Sequence, residues 1–562
     1  MRTIRTLVSS LAALFVFLAG ITSLQASTVY WNVPITASGW DNTANWSTVA
    51  SGTSGFAPVS VPGSGDTVII GSTLCNSLTS INLNANQSVL GIQYGGNGPI
   101  AAGVINSGAG TNTLTIGTGG ITDAIGAGSI TINAGIVVNG NQTWTAAGSA
   151  GVIISGTVTG TGNLTLTNFT AQATSYFNHT GNLSITGGSY YSTSAAYTGA
   201  LTISGGEIYN TAIITGASGG STFNGGTIGG HGTLIISSSV SQVGTTNWYN
   251  NGGNTTFSGS FTGGPSGNGV FNDIGTGGLT LSGNTDNTNL SVQTPTGTTY
   301  LDKTSSATVH AIGKALNVQT GSLAQIIGTG GYQLSGSAVV TVSGTFDFNG
   351  ASESFDQLAG TSAAGTVTNT LASSTSTLTI GGNNGSSSFS GAIQNGASGT
   401  GVVAVNKNGT GTLTLAGLNT YTGATNINAG TLSLTGTIGS TGGTAITVAS
   451  GASLTEGALG AIVGTSSLTL NSGTTTLNGL NTYSGATNVK AGTILVDNSA
   501  LTTTNSGTVS PGSSLSASST VTLNGSTLKV SGHTSTVAQT LNVTWINAGQ
   551  FSMASTAGLT PG

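Results

Sequence analysis

Proton transfer is the chemistry that the few titratable side chains of this 562-residue chain could do. Gly230-His231-Gly232 offers an imidazole and Asn284-Thr285-Asp286 a carboxylate, the groups that move protons in a hydrolase or lyase. A uronate lyase must also neutralise the sugar carboxylate with Arg, Lys or a calcium ion held by clustered acids. The densest acidic group is Asp347, Glu353 and Asp356, which makes it the calcium candidate, but it falls inside a repeat-like segment. His179, His310 and His533 are scattered without metal-ligand spacing, and no Gly-x-Ser-x-Gly elbow or phosphate-binding loop occurs. No catalytic residue, cofactor or metal ligand is therefore assigned.

The His231 and Asp286 tripeptides resemble short elements of polygalacturonase-like enzymes. Their order is reversed here, and the adjacent Asp pair and the Arg-x-Lys element of those enzymes are missing. In a chain with 94 glycines such tripeptides arise easily, so the plain reading is a turn histidine and a loop aspartate.

Charge elsewhere is scarce, and its placement is informative. The two arginines, Arg2 and Arg5, precede the apolar run 11–21 and the small-residue site Leu24-Gln25-Ala26, so residues 1–26 read as a secretory signal peptide with cleavage after Ala26. Beyond it stand five lysines (Lys303, Lys314, Lys407, Lys490, Lys529) against twelve acids, a net charge of −7. That balance offers no basic patch for nucleic acid. No later run is long and apolar enough to be a transmembrane segment. The single cysteine, Cys75, reads as a small core residue.

With charged residues at 3% and hydrophobic residues at 36%, the chain is neither helix-rich nor disordered. Apolar residues alternate with Thr or Ser in short strands such as NLTLT at 163–167, NLSIT at 182–186 and ALTIS at 200–204. Leu164, Leu183 and Leu201 are 19 and 18 residues apart, the length of one coil of a solenoid. A single coil cannot bury its apolar row, so it must stack on the next.

Two stretches are near copies: GLNTYTGATNINAGTLSL at 417–434 and GLNTYSGATNVKAGTILV at 479–496. Asn419, Tyr421, Gly423, Gly430 and Leu432 recur as Asn481, Tyr483, Gly485 and Gly492, with Ile494 in place of the leucine. Asn and Gly are expected to form corners that tolerate positive φ, with the tyrosine laid along the stack and Leu432 pointing inward. These copies, with FNGASESFDQLAG at 348–360, resemble the autotransporter-associated β-strand repeat of bacterial passenger domains. The resemblance implies a right-handed parallel β-helix, exported to the cell surface or beyond, that acts in adhesion or self-association more often than in catalysis. Autotransporters end in a membrane β-barrel. This sequence stops at Gly562 without one, so it is expected to be either a fragment or a similar secreted protein.

The fold class expected is all-β: a parallel β-helix (β-solenoid) with an N-terminal cap. The segments are a signal peptide at 1–26, a cap at 27–72, irregular coils at 73–345, autotransporter-associated repeats at 346–496 and further coils at 497–562. Trp31, Trp40 and Trp46 lie close together in the cap, where they would cover strand edges or, on a second reading, form an aromatic platform for sugar rings. The expected partners are extracellular surfaces, glycans or a second copy of the chain. A carbohydrate-active β-helix enzyme is the alternative.

Overall fold

The computed structural model describes residues 26–31, 38–48, 59–70, 80–95, 103–124, 128–147 and 152–169, short segments between 171 and 250, then 254–261, 269–328, 330–397, 401–497, 515–516, 518–531, 542–547 and 550–554. The expected signal peptide, apart from residue 26, lies outside the described residues, as do Cys75, His231 and His533.

Short Thr-rich strands stack in parallel because each has one apolar face and successive coils bring those faces into register. Two compact units result, Met1–Gly219 and Gly220–Gly562. In the first, Leu164, Leu183 and Leu201 are register partners, so the expected 19- and 18-residue coils are real. In the second, the coil is less regular. Phe355, Ile380 and Lys407 stack at intervals of 25 and 27 residues, and Ile427, Val448, Leu470 and Val489 follow at 20, 21, 22 and 19.

Through the near copies each coil has three short sides. One is represented by Thr425–Ile427 over Ala445–Val448, the next by Thr431–Leu434 over Ser453–Glu456, and the third by Thr437–Ile438 over Ala461–Ile462. Alternation decides what is buried. Leu432 and Leu434 are fully buried, whereas Thr431 and Ser433 between them are half-buried and face outward.

The cap differs in strand direction. Thr28–Trp31 pairs in parallel with Thr67–Ile70 on one side and antiparallel with Trp46–Ser47 on the other, with Trp31 opposite Trp46. That is the one antiparallel strand pairing among the described residues.

Candidate functional site

The repeat residues are architectural, and their roles differ in part from those expected. Asn419 does not have positive φ. It is fully buried and acts as a backbone mimic between coils. Its Oδ1 accepts the Ile393 N–H at 3.1 Å, and its Nδ2 donates to the carbonyls of Gly417 at 3.0 Å and Thr437 at 3.1 Å. Asn481 likewise accepts the Ile462 N–H, at 2.6 Å. Asn287, which the sequence reading passed over, does the same, accepting from Phe261 N–H at 2.9 Å and donating to the Ala311 carbonyl at 2.9 Å. An Asn side chain carries the donor and acceptor of a peptide group, so it can continue a ladder where the strand ends.

Of the four repeat glycines, Gly423, Gly430, Gly485 and Gly492, only Gly430 and Gly492 have positive φ, 63° and 91°. Gly423 and Gly485 are needed for proximity instead: a Cβ at either would stand 2.4 Å from a carbonyl oxygen of the preceding coil, Val403 or Ser466. Tyr421 and Tyr483 are fully buried, which pushes both phenols up, Tyr483 to about 12. Lys407 was also missed as a structural residue. Its buried ammonium donates to the carbonyls of Asn408, Gly409 and Ala429 at 2.6, 2.9 and 3.2 Å, and burial lowers its pKa.

The acidic trio does not converge. Asp347 accepts from the N–H groups of Asn349 and Thr370, from Gln325 and from the Thr370 hydroxyl. Glu353 takes the N–H groups of Gln333 and Leu334, one on each oxygen, and burial raises it to about 8. Asp356 takes those of Asn383 and Gly385. Each carboxyl thus serves its own stretch of backbone.

Asp286 has a partner that the tripeptide did not suggest. Its Oδ1 receives both the backbone N–H of His310, at 2.8 Å, and His310 Nδ1, at 2.9 Å, and its Oδ2 receives the Thr288 hydroxyl. Burial pushes this carboxyl up, but the bonds from Thr288 and His310, with the imidazole's charge, more than reverse that and leave it below its usual value. Lys303, buried with Nζ 3.0 Å from the Gly259 carbonyl and 5.8 Å from the Phe257 ring centre, is pushed down to about 8 by burial. The bonds to Asp286 tie down His310, near the end of the 304–312 segment. His231 lies outside the described residues.

The three tryptophans of the cap are fully buried. Trp46 meets Trp31 and Trp40 edge-on at 4.8 and 4.9 Å between ring centres, and its Nε1 donates to the Trp40 carbonyl at 2.7 Å. Rings packed this way form the cap's own core, and no exposed face remains on which a sugar could stack.

Rows of hydroxyls and amides face outward on two sides of the second unit. On one side of the second unit Thr412, Thr431, Ser453, Thr474, Thr493 and Thr527 are successive register partners over six coils. Two residues along, Thr414, Ser433, Thr455 and Thr476 form a second row. The adjoining side carries Asn406, Asn426, Thr447, Thr469 and Asn488 in register. Ser453 and Thr474 bond to each other, and Asn426 to Asn406. None of these residues is charged, and the second row runs on through Leu495 to the exposed Lys529.

Residues 405–434 and 464–496 match the passenger-associated-transport-repeat family. No curated protein and no solved structure gives a significant match. The two passenger repeats are the autotransporter-type copies seen in the sequence, and in the fold each supplies about one coil of strands with the Asn, Tyr and Gly corners described above. Among the described residues no helix is long and apolar enough to cross a membrane.

Proposed function

We propose that this chain is a secreted or surface-displayed β-helical repeat protein acting in adhesion, self-association or extracellular matrix structure. The observation that supports this reading best is the outward rows of hydroxyls and amides, uncharged from Thr412 to Thr493. Among the described residues, the hydroxyls of Thr414, Thr431, Ser433, Thr455, Thr476 and Thr493 make no hydrogen bond. Each offers a weak polar contact, and a row repeating about every 4.8 Å multiplies that contact along any extended partner. The passenger repeats agree with export, and the signal-like segment 1–26 supplies a route to it. Extracellular surfaces, neutral glycans or a second copy of the chain suit rows without charge, whereas nucleic acid does not.

Purified protein incubated with uronate and neutral polysaccharides, with and without calcium, tests this reading. Saturable binding or self-association without new reducing ends or unsaturated products is expected. Turnover abolished by His231→Ala or Asp286→Asn would overturn it in favour of a carbohydrate-active enzyme. Exported protein is expected to begin at Ser27, and N-terminal sequencing that finds Met1 intact would remove the proposed export route.

A further inference from the structure

Glu456 holds an inward position at the end of Ser453–Glu456 and is 2% exposed. Its Oε2 accepts three hydrogen bonds: from the backbone N–H of Asn478 at 3.1 Å, from that of Gly479 at 3.0 Å and from Asn481 Nδ2 at 2.8 Å. Its Oε1 is buried and accepts none. All three donors belong to the turn that opens the second passenger repeat. The first repeat is built differently. Phe389, the register partner of Leu415, lies one coil before its Gly417–Asn419 turn, in the place that Glu456 takes before the turn of the second.

The geometry points to Glu456 as a proton-dependent clasp on the second passenger repeat: the neutral acid holds the 478–481 turn closed, and loss of its proton loosens that turn while the first repeat stays closed. The proton belongs on Oε1, because Oε2 is already surrounded by donors. The neutral acid leaves only a hydroxyl unpaired, whereas the carboxylate leaves charge on an oxygen that neither water nor a donor reaches, which is far more costly. Burial accordingly pushes Glu456 up to about 7, against the three hydrogen bonds that pull it down. Tyr483 is the titratable group that couples to it, itself raised to about 12 by burial first and by the Glu456 charge last. The flanking strands Thr431–Leu434 and Thr474–Leu477 carry no charged residue.

The direction of the effect follows from linkage. An opened turn returns the acid to its ordinary value of 4.5, so the clasp is fully present below that pH and is lost as pH rises through about 7. Hydrogen exchange on the full chain, with each rate divided by its intrinsic value, reads the turn directly. Opening of 478–483 is expected to rise roughly tenfold per pH unit between about 5 and 7 and to level off above. Residues 416–421 of the first repeat serve as the internal reference and are expected to show no such slope. Glu456→Gln places a carbonyl oxygen at the three donors and an uncharged amide at the empty position, so it should keep the turn closed at every pH. Glu456→Leu should leave it open at every pH. A flat wild-type profile, equal slopes in both repeats, or a slope that survives in Glu456→Gln would overturn the proposal.

Discussion

The hydroxyl of Tyr421 lies 2.8 Å from Thr425 Oγ1, deep inside the coil, and Thr425 passes the contact on to Thr444 of the next coil at 3.2 Å. The second repeat copies this relationship, with Tyr483 2.7 Å from Thr487 and Thr487 2.8 Å from Ser519. A tyrosine in either repeat is thus a large apolar filler whose one polar atom is tied into a hydroxyl chain running between coils.

Tyr421→Phe removes that atom and keeps the ring. The cost is expected to be about 1–2 kcal/mol, the worth of one buried hydrogen bond. Tyr421→Ala should cost about 3–5 kcal/mol because it also empties the space. Urea midpoints of the three proteins give the comparison, and a phenylalanine variant as damaged as the alanine one would contradict this division of roles.

Strand Thr431–Leu434 supplies a test of register. Leu432→Asp places an unpaired carboxyl among apolar side chains and is expected to cost several kcal/mol, while Ser433→Asp, on the outer face, should cost under about 1 kcal/mol. Equal shifts in denaturant midpoint would mean that the strand or its register is wrong.

Asn419→Leu should be expensive although it adds apolar volume. It leaves the Ile393 N–H and the Thr437 carbonyl without their partner, at about 1–3 kcal/mol for each buried group. Asn287→Leu should behave alike through Phe261 and Ala311. Amide exchange at Ile393 in the first variant and at Phe261 in the second should accelerate; an unchanged rate at both would refute the backbone-mimic role.

Asp123 sets a pH dependence in the first unit. Its carboxyl is fully buried with no hydrogen-bond partner among the described residues, and burial raises it to about 6. An acid raised in the folded state contributes stability below its unfolded value, near 4, that is lost as pH climbs through about 6. Asp123→Asn should therefore match the wild type at pH 4 and exceed it in thermal stability at pH 8. A variant less stable at pH 8 would mean that the charge is favourable where it sits.

The stacked coil was legible in the sequence because alternation of Leu with Thr or Ser is a direct record of which side chains are buried; the spacing of Leu164, Leu183 and Leu201 was enough to give its length. The corners were less legible. Asn419 looked like a turn residue because Asn is common at positive φ, yet here its amide substitutes for a missing strand neighbour, a role that only three-dimensional stacking reveals. Gly423 and Gly430 look identical in one dimension, though the first answers to a carbonyl of another coil and the second to its own φ. Asp286 was noticed without its companion His310, which is 24 residues away and is brought to it by one coil of the solenoid. Glu456 left no signal, because a lone acid among Leu, Thr and Gly reads as surface until its burial is known.

The short antiparallel strand Trp46–Ser47 has a consequence for assembly. A stack of parallel coils offers at its end an edge that any strand of the same direction could extend, which is how head-to-tail fibres begin. Beside Thr28–Trp31 that edge is already filled, by a strand running the opposite way and anchored by three interlocked indoles. Another molecule's coil finds no parallel template beside Thr28–Trp31, so on this side of the first coil strand addition is blocked.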